Sequence, residues 1–335
     1  MPLEQEMIEE RVLVTEPREP APAPNTGISN LRWSNPFVRK VTWSTLALMT
    51  AAAVTLAVIG TWSRLPDFDW QFKPAWIAVS ALAFLGLHLT HAGLWRRLLH
   101  HLDRDIEPRR SRAIWCTSGL TRYTPGSVLM PAVRVAMAKP EGVPKRECLA
   151  SVIYEMALLL TGSVIVGAYA VVRTPQFGGS ARYLVLAIPI AAIVCLHPRI
   201  FGPLANVALN KIGKEALPRT LKTRALVSMV ALYCASWVLA GAGLYALIEG
   251  LYPIEPDDFA IVLAAPAVGY IAAALAFVLP GGIGAREGGL AAVLSVAFPL
   301  GVGVAVAVAL RLLQLTIELG AAAITPMIAR RTRPR

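Results

Sequence analysis

The feature that most constrains this chain is the segregation of its charge. Apolar runs long enough to cross a bilayer alternate with connections that hold most of the lysine and arginine. Residues 42–62, 75–95, 149–172 and 182–200 form four such runs. About 20 helical residues at about 1.5 Å each match roughly 30 Å of hydrocarbon. Residues 225–248 and 259–279 repeat the pattern. The run 288–329 is too long for one crossing, and Phe298, Pro299, Leu300 and Gly301 supply its break. It divides into a half-length piece, 288–297, and a spanning piece, 304–329. Runs of this length predict an all-α, polytopic membrane protein of about eight membrane segments, because a helix satisfies its own backbone in hydrocarbon.

Composition agrees. Only 16% of the 335 residues are charged, against roughly 25% in a soluble domain, which argues against a soluble globular enzyme. The formal charge of +11 collects in the loops, where anionic lipid headgroups lie, so no nucleic-acid partner is expected. Of the 32 Lys and Arg residues, 11 fall in 96–146, 6 in 199–224 and none in 249–258. By the positive-inside rule both termini and the two basic segments are cytoplasmic, in a cell (inner) membrane protein. Residues 1–31, acidic and proline-rich, read as a disordered cytoplasmic tail; 32–330 form the membrane domain, and 331–335 a basic cytoplasmic tail. The start lacks the basic residues and apolar run of a signal peptide. The four cysteines, Cys116, Cys148, Cys195 and Cys234, show no disulfide or zinc spacing.

Two segments are apolar yet broken. Residues 113–138, AIWCTSGLTRYTPGSVLMPAVRVAMA, carry Pro125, Gly126 and Pro131. As one crossing this segment would put the next basic loops on the wrong side, so it reads as a re-entrant hairpin. The second is LPGGIGAREGGL at 279–290, ahead of the half-length piece. Non-helical backbone at membrane depth requires protein or a wet cavity around it. Paired breaks in two halves are the pattern of an inverted-repeat transporter with a midplane site. Without visible internal repetition, the repeat stands as a hypothesis.

Charges inside the apolar runs mark candidate functional groups. Glu155 lies in SVIYEMALLL, where it is expected to pair with a cation of a broken segment or to titrate. Arg311 and Glu318 are two helical turns apart on one face, and a structural pair between them is the plainer reading. Arg122 and Arg134 flank the Pro125–Gly126 break, and Arg286 adjoins Glu287 at the other. Guanidinium stays charged and grips phosphate oxygens bidentately, so these arginines are candidates for an anionic headgroup; snorkelling or helix capping is the structural alternative. Amides of Gly281, Gly282 and Gly284, with the following helix N-terminus, are expected to complete an anion nest. The expected substrate-binding set is therefore Arg122, Pro125, Gly126, Arg134, Glu155, Gly281, Gly282, Gly284, Arg286 and Glu287. His88 and His91 read as helix-packing residues rather than metal ligands. There is no GxxxxGK[ST] motif and no nucleophile–base grouping, so neither a cofactor, a metal nor a catalytic residue is expected.

The motifs LPGGIGAREGGL, TPGSVLMPAVRV and SVIYEMALLL resemble the lysylphosphatidylglycerol synthase transmembrane, or flippase-like, family over roughly residues 40–330. The cluster Pro280, Gly281, Gly282, Gly284, Arg286 and Glu287 carries most of the resemblance, followed by Pro125, Gly126, Arg134 and Glu155. Ser127–Met130 and Met156 depart from the family's usual residues. The resemblance implies re-entrant helices and movement of lipids between leaflets. With no soluble aminoacyl-transfer domain after the last helix, transport is expected rather than synthesis. The expected function is translocation of an anionic lipid, either a phospholipid or a polyprenyl-linked glycolipid. Its alternatives are a membrane subunit or scaffold for a glycosyltransferase, and an enzyme that modifies a lipid headgroup with Glu155 or Glu287 as base.

Overall fold

The computed structural model describes residues 70–123, 129–174, 180–211, 220–276, 282 and 284–330. The expected span at 42–62 and both expected tails lie outside these residues. The described residues are helical throughout their ordered elements, with no strand among them. In chain order the helices are α1 (Pro74–His101), α2 (Pro108–Gly119), α3 (Leu129–Ala138), α4 (Lys145–Arg173), α5 (Ala187–Leu196), α6 (Pro198–Lys211), α7 (Thr223–Leu251), α8 (Phe259–Leu275), α9 (Ala285–Leu294) and α10 (Leu300–Arg330). Short 3₁₀ turns cover Leu120–Tyr123, Lys139–Glu141, Ser180–Leu186 and Pro256–Asp258.

Five segments, those of α1, α4, α7, α8 with its preceding turn, and α10, are long and apolar enough to cross a membrane. The chain is a multi-pass membrane protein. Prolines set several starts, as at Pro74 and Pro108, where the first helical turn makes no use of an N–H. The run 288–329 breaks as its sequence requires: α9 ends at Leu294 and α10 begins at Leu300, directly after Pro299.

One expected span is built differently. Residues 182–200 do not form one helix: a 3₁₀ turn leads into the ten-residue α5, which stops at His197. The cause is Pro198, since the residue before a proline is pushed out of the helical region, and His197 has ψ 135°. α6 restarts at Pro198.

α7 is the hub, packing against α1, α4, α8 and α10. Trp237, Leu244 and Ile248 of α7 join Val262 and Leu263 of α8, Leu290 and Leu294 of α9 and Val306 of α10 in one buried cluster. Small residues let these helices approach. A Cβ on Gly241 would meet Leu263 Cδ1 at 2.5 Å and Leu263 Cα at 2.8 Å.

The expected re-entrant segment is two short helices, α2 and α3, packed on each other around the 3₁₀ turn. α2 also packs against α10 and α1, and α3 against α4. Its two stems are tied by Arg110 Nη1 and Glu141 Oε2 at 2.6 Å. The second broken pair, α8 with α9, places α9 against α10. α10 therefore receives a broken segment from each half of the described chain.

Candidate functional site

The first charged centre is sealed. Glu155 projects from α4 with 4% of its surface exposed, and Arg134 from α3 with 2%. Arg134 Nη1 donates to Glu155 Oε2, while Trp115 Nε1 of α2 donates to Glu155 Oε1 at 2.6 Å. Arg134 Nε donates to Ser118 Oγ at 3.1 Å. Its guanidinium also lies over the rings of Trp95 and Trp115, at 5.2 and 5.8 Å, close enough for cation–π attraction. Trp95 is in turn held by Ser151 Oγ of α4, to which its Nε1 donates at 2.9 Å. Both carboxylate oxygens thus accept from protein donors, and two tryptophan rings lie against the arginine.

The second centre is looser. It is built on one face of α10, from Arg311 and Glu318. Tyr123 OH donates to Glu318 Oε2 at 2.8 Å, and Arg122 Nη2 lies 3.7 Å from Glu318 Oε1. Arg122 is aimed by its own turn, since its Nε donates to Gly119 O at 2.8 Å. A Cβ at position 119 would come within 3.1 Å of Arg122 Nη2. Arg311 Nε lies 3.4 Å from Glu287 Oε1 of α9, and its guanidinium sits 5.0 Å from the Tyr123 ring centroid. The other oxygen of Glu287 accepts the Gly284 N–H at 2.7 Å, capping α9.

Arg286, one residue before Glu287, is half-buried and within electrostatic reach of Arg311, Tyr123, Glu287 and Glu318. Among the described residues no carboxylate lies within ion-pair distance of its guanidinium and no hydrogen bond holds it. Counting both centres, the arginines Arg122, Arg134, Arg286 and Arg311 face the carboxylates Glu155, Glu287 and Glu318. Among the described residues each of these carboxylates has its own arginine, and Arg286 is the one left over.

The expected site residues thus separate. Arg122 and Glu287 reach Glu318 and Arg311 of α10, Arg286 stands beside Glu287 at the start of α9, and Arg134 and Glu155 form the sealed pair. Pro125, Gly126 and Gly281 lie outside the described residues. Gly282 and Gly284 are explained by backbone, with φ of +66° and +85°. The Gly284 amide is not free for an anion, because Glu287 already holds it. The pairing of Arg311 with Glu318 is also corrected: two turns separate them along α10, and each reaches instead to a broken segment, Arg311 to α9 and Glu318 to the turn after α2. His91 fits its packing role, with Nε2 3.0 Å from Ser236 Oγ. His88 packs edge-on against the Trp115 ring, and among the described residues its buried Nε2 has no hydrogen-bond partner. Trp115 and Tyr123 escaped the sequence reading because aromatic residues in apolar runs look like core. Tyr123, next to Arg122 at a break, carried the only available signal.

The family model described as the lysylphosphatidylglycerol synthase TM region matches residues 40–320, which includes both centres. No curated protein matches the chain.

Proposed function

The chain belongs to the lysylphosphatidylglycerol synthase transmembrane family, membrane proteins related to lipid modification or translocation, and on that premise we propose that it moves an anionic lipid between leaflets. The observation that carries this reading is Arg286, the guanidinium that among the described residues has no carboxylate within ion-pair distance, in a cluster where every other arginine has one. A half-buried guanidinium without an ion pair, in a membrane protein, is costly unless something neutralises it. A phosphate oxygen of a headgroup does so with charge-assisted hydrogen bonds. Arg122 and Arg311, held at 3.7 and 3.4 Å by their carboxylates, stand ready to add contacts. Glu287 and Glu318 keep these arginines aimed when no lipid is bound, and Arg134 with Glu155 braces the hairpin that presents Arg122.

The test is leaflet-resolved translocation in proteoliposomes with labelled phospholipids and polyprenyl-phosphate lipids. Arg286→Ala is expected to cut movement of the transported lipid by about 10- to 100-fold, the loss of one hydrogen bond to a charged group, with the fold intact. Wild-type movement by that variant would remove the assignment. A lipid product of changed mass would instead point to headgroup modification.

A further inference from the structure

Tyr123 ends the 3₁₀ turn that follows α2 and is 4% exposed. Its two chemical parts reach different charges of the looser centre. The hydroxyl donates to Glu318 Oε2 at 2.8 Å. The ring centroid lies 5.0 Å from the guanidinium carbon of Arg311 on α10 and 5.9 Å from that of its neighbour Arg122. A ring this close to two guanidinium groups attracts each through its electron-rich face.

These contacts decide which carboxylate each arginine faces. Arg311 and Glu318 share one face of α10, seven residues apart, with about 10 Å of helix rise between them. Glu318 has two oxygens to give: Oε2 is taken by Tyr123, and Oε1 faces Arg122 Nη2 at 3.7 Å. Arg311 Nε turns instead to Glu287 Oε1 of α9, at 3.4 Å, while the other oxygen of Glu287 holds the Gly284 N–H. An unbroken chain of contacts therefore runs from the turn after α2, through α10, to the first turn of α9. Both ion pairs in it are longer than a hydrogen bond. Without the Tyr123 hydroxyl a buried carboxylate oxygen loses its donor, a costly state that Arg122 is placed to relieve.

We propose that Tyr123 is a positioning residue of the headgroup site: its hydroxyl tethers Glu318 short of Arg122, which leaves that guanidinium free to bind an anionic headgroup. Its ring keeps Arg311 beside the same turn, so both cations stand short of hydrogen-bond contact with their carboxylates. Tyr123 touches no lipid in this role; it acts through Glu318 and Arg311. This inference rests on the headgroup site proposed above.

The experiment titrates dihexanoyl phosphatidylglycerol, a soluble phosphodiester that stays ionised, into purified full-length protein in detergent, with the melting temperature recorded beside each affinity. Tyr123→Phe keeps the ring and deletes the hydroxyl, so Glu318 closes on Arg122. Affinity should fall about tenfold, the scale of one hydrogen bond to a charged group. Glu318→Gln removes the competing carboxylate and should bind more tightly than wild type. The decisive variant carries both changes. With no carboxylate to tether, Tyr123→Phe should have no further effect, and the double variant should bind like Glu318→Gln alone. A tyrosine that merely packs would weaken binding equally in both backgrounds, and that additive result overturns the proposal, as does wild-type affinity in Tyr123→Phe. If Tyr123→Phe does not fold, the double variant, which buries no carboxylate at 318, is compared with Glu318→Gln: a further loss of affinity overturns the proposal, and equal affinity, above that of the wild type, upholds it. Arg286→Ala separates the two readings. Binding by the wild type and not by Arg286→Ala, beside an unchanged Tyr123→Phe, keeps the headgroup site and removes only the role of Tyr123; a wild type that does not bind removes both.

Discussion

Two buried glutamates that look alike in the sequence do different work, and their amides should show it. Glu155 is bonded to Arg134 and Trp115, with no surface to spare. Glu155→Gln leaves Arg134 as an uncompensated buried charge, and breaking such a pair costs about 3–5 kcal/mol. We expect a large fall in thermal stability in detergent, read by tryptophan fluorescence or light scattering. Glu318 holds Arg122 only at 3.7 Å. Glu318→Gln should lower stability less and should tighten binding of dihexanoyl phosphatidylglycerol, because Arg122 is released. Equal destabilisation by both, with unchanged binding, would contradict the division into a brace and a looser cluster. The charged residues themselves were legible in the sequence, since a charge in an apolar run must find a partner. Their pairings were legible only in part. Glu155 was expected to meet a cation of a broken segment and does. Arg311 was expected to pair with Glu318 from helical spacing, while packing of α9 on α10 delivers Glu287.

At the scale of elements, the approach of α9 to α8 fixes where Arg286 stands. A Cβ at Gly269 of α8 would lie 2.8 Å from the Arg286 carbonyl oxygen, and one at Gly289 of α9 would lie 2.8 Å from Ala272 Cβ. Gly269→Ala must therefore push the first turn of α9 outward, and overpacking of this kind costs about 1–3 kcal/mol. The expected outcome is weakened anion binding and slowed transport with the protein still folded. Gly86→Ala on α1, where a Cβ meets nothing within 4 Å, is the control and should change neither. Binding that survives Gly269→Ala unaltered would mean that α9 does not need its present seat. The breaks between α2 and α3 and between α8 and α9 were readable from glycine and proline. What was not readable is how a break is spent: the glycines near 282–284 suggested open amides, yet the capping carboxylate three residues on takes the Gly284 N–H. The division at His197 and Pro198 was missed because apolar length outweighed one proline.

For the whole molecule, the shortness of α5 sets a question of parity that charge should decide. α4 and α7 are both of crossing length, and between them the strongly apolar stretch, Tyr183–Leu196, is shorter than a normal span. If it did not cross, the basic segment 199–224 would end up opposite the basic segment 96–146, against the positive-inside rule. A short apolar stretch can cross where the bilayer thins around it, at fractions of a kcal/mol per ångström of mismatch. Six basic residues in 199–224 supply a stronger bias than that cost. Arg109→Cys and Lys222→Cys are therefore expected to react with a membrane-impermeant maleimide from the same, cytoplasmic, side, and Asp257→Cys only from the other. The assay needs Cys195→Ser as background, because Cys195 is exposed while Cys116 and Cys148 are buried. Labelling of Lys222→Cys together with Asp257→Cys would leave α7 without a crossing, which its 29 apolar-rich residues and central packing make the harder arrangement to sustain.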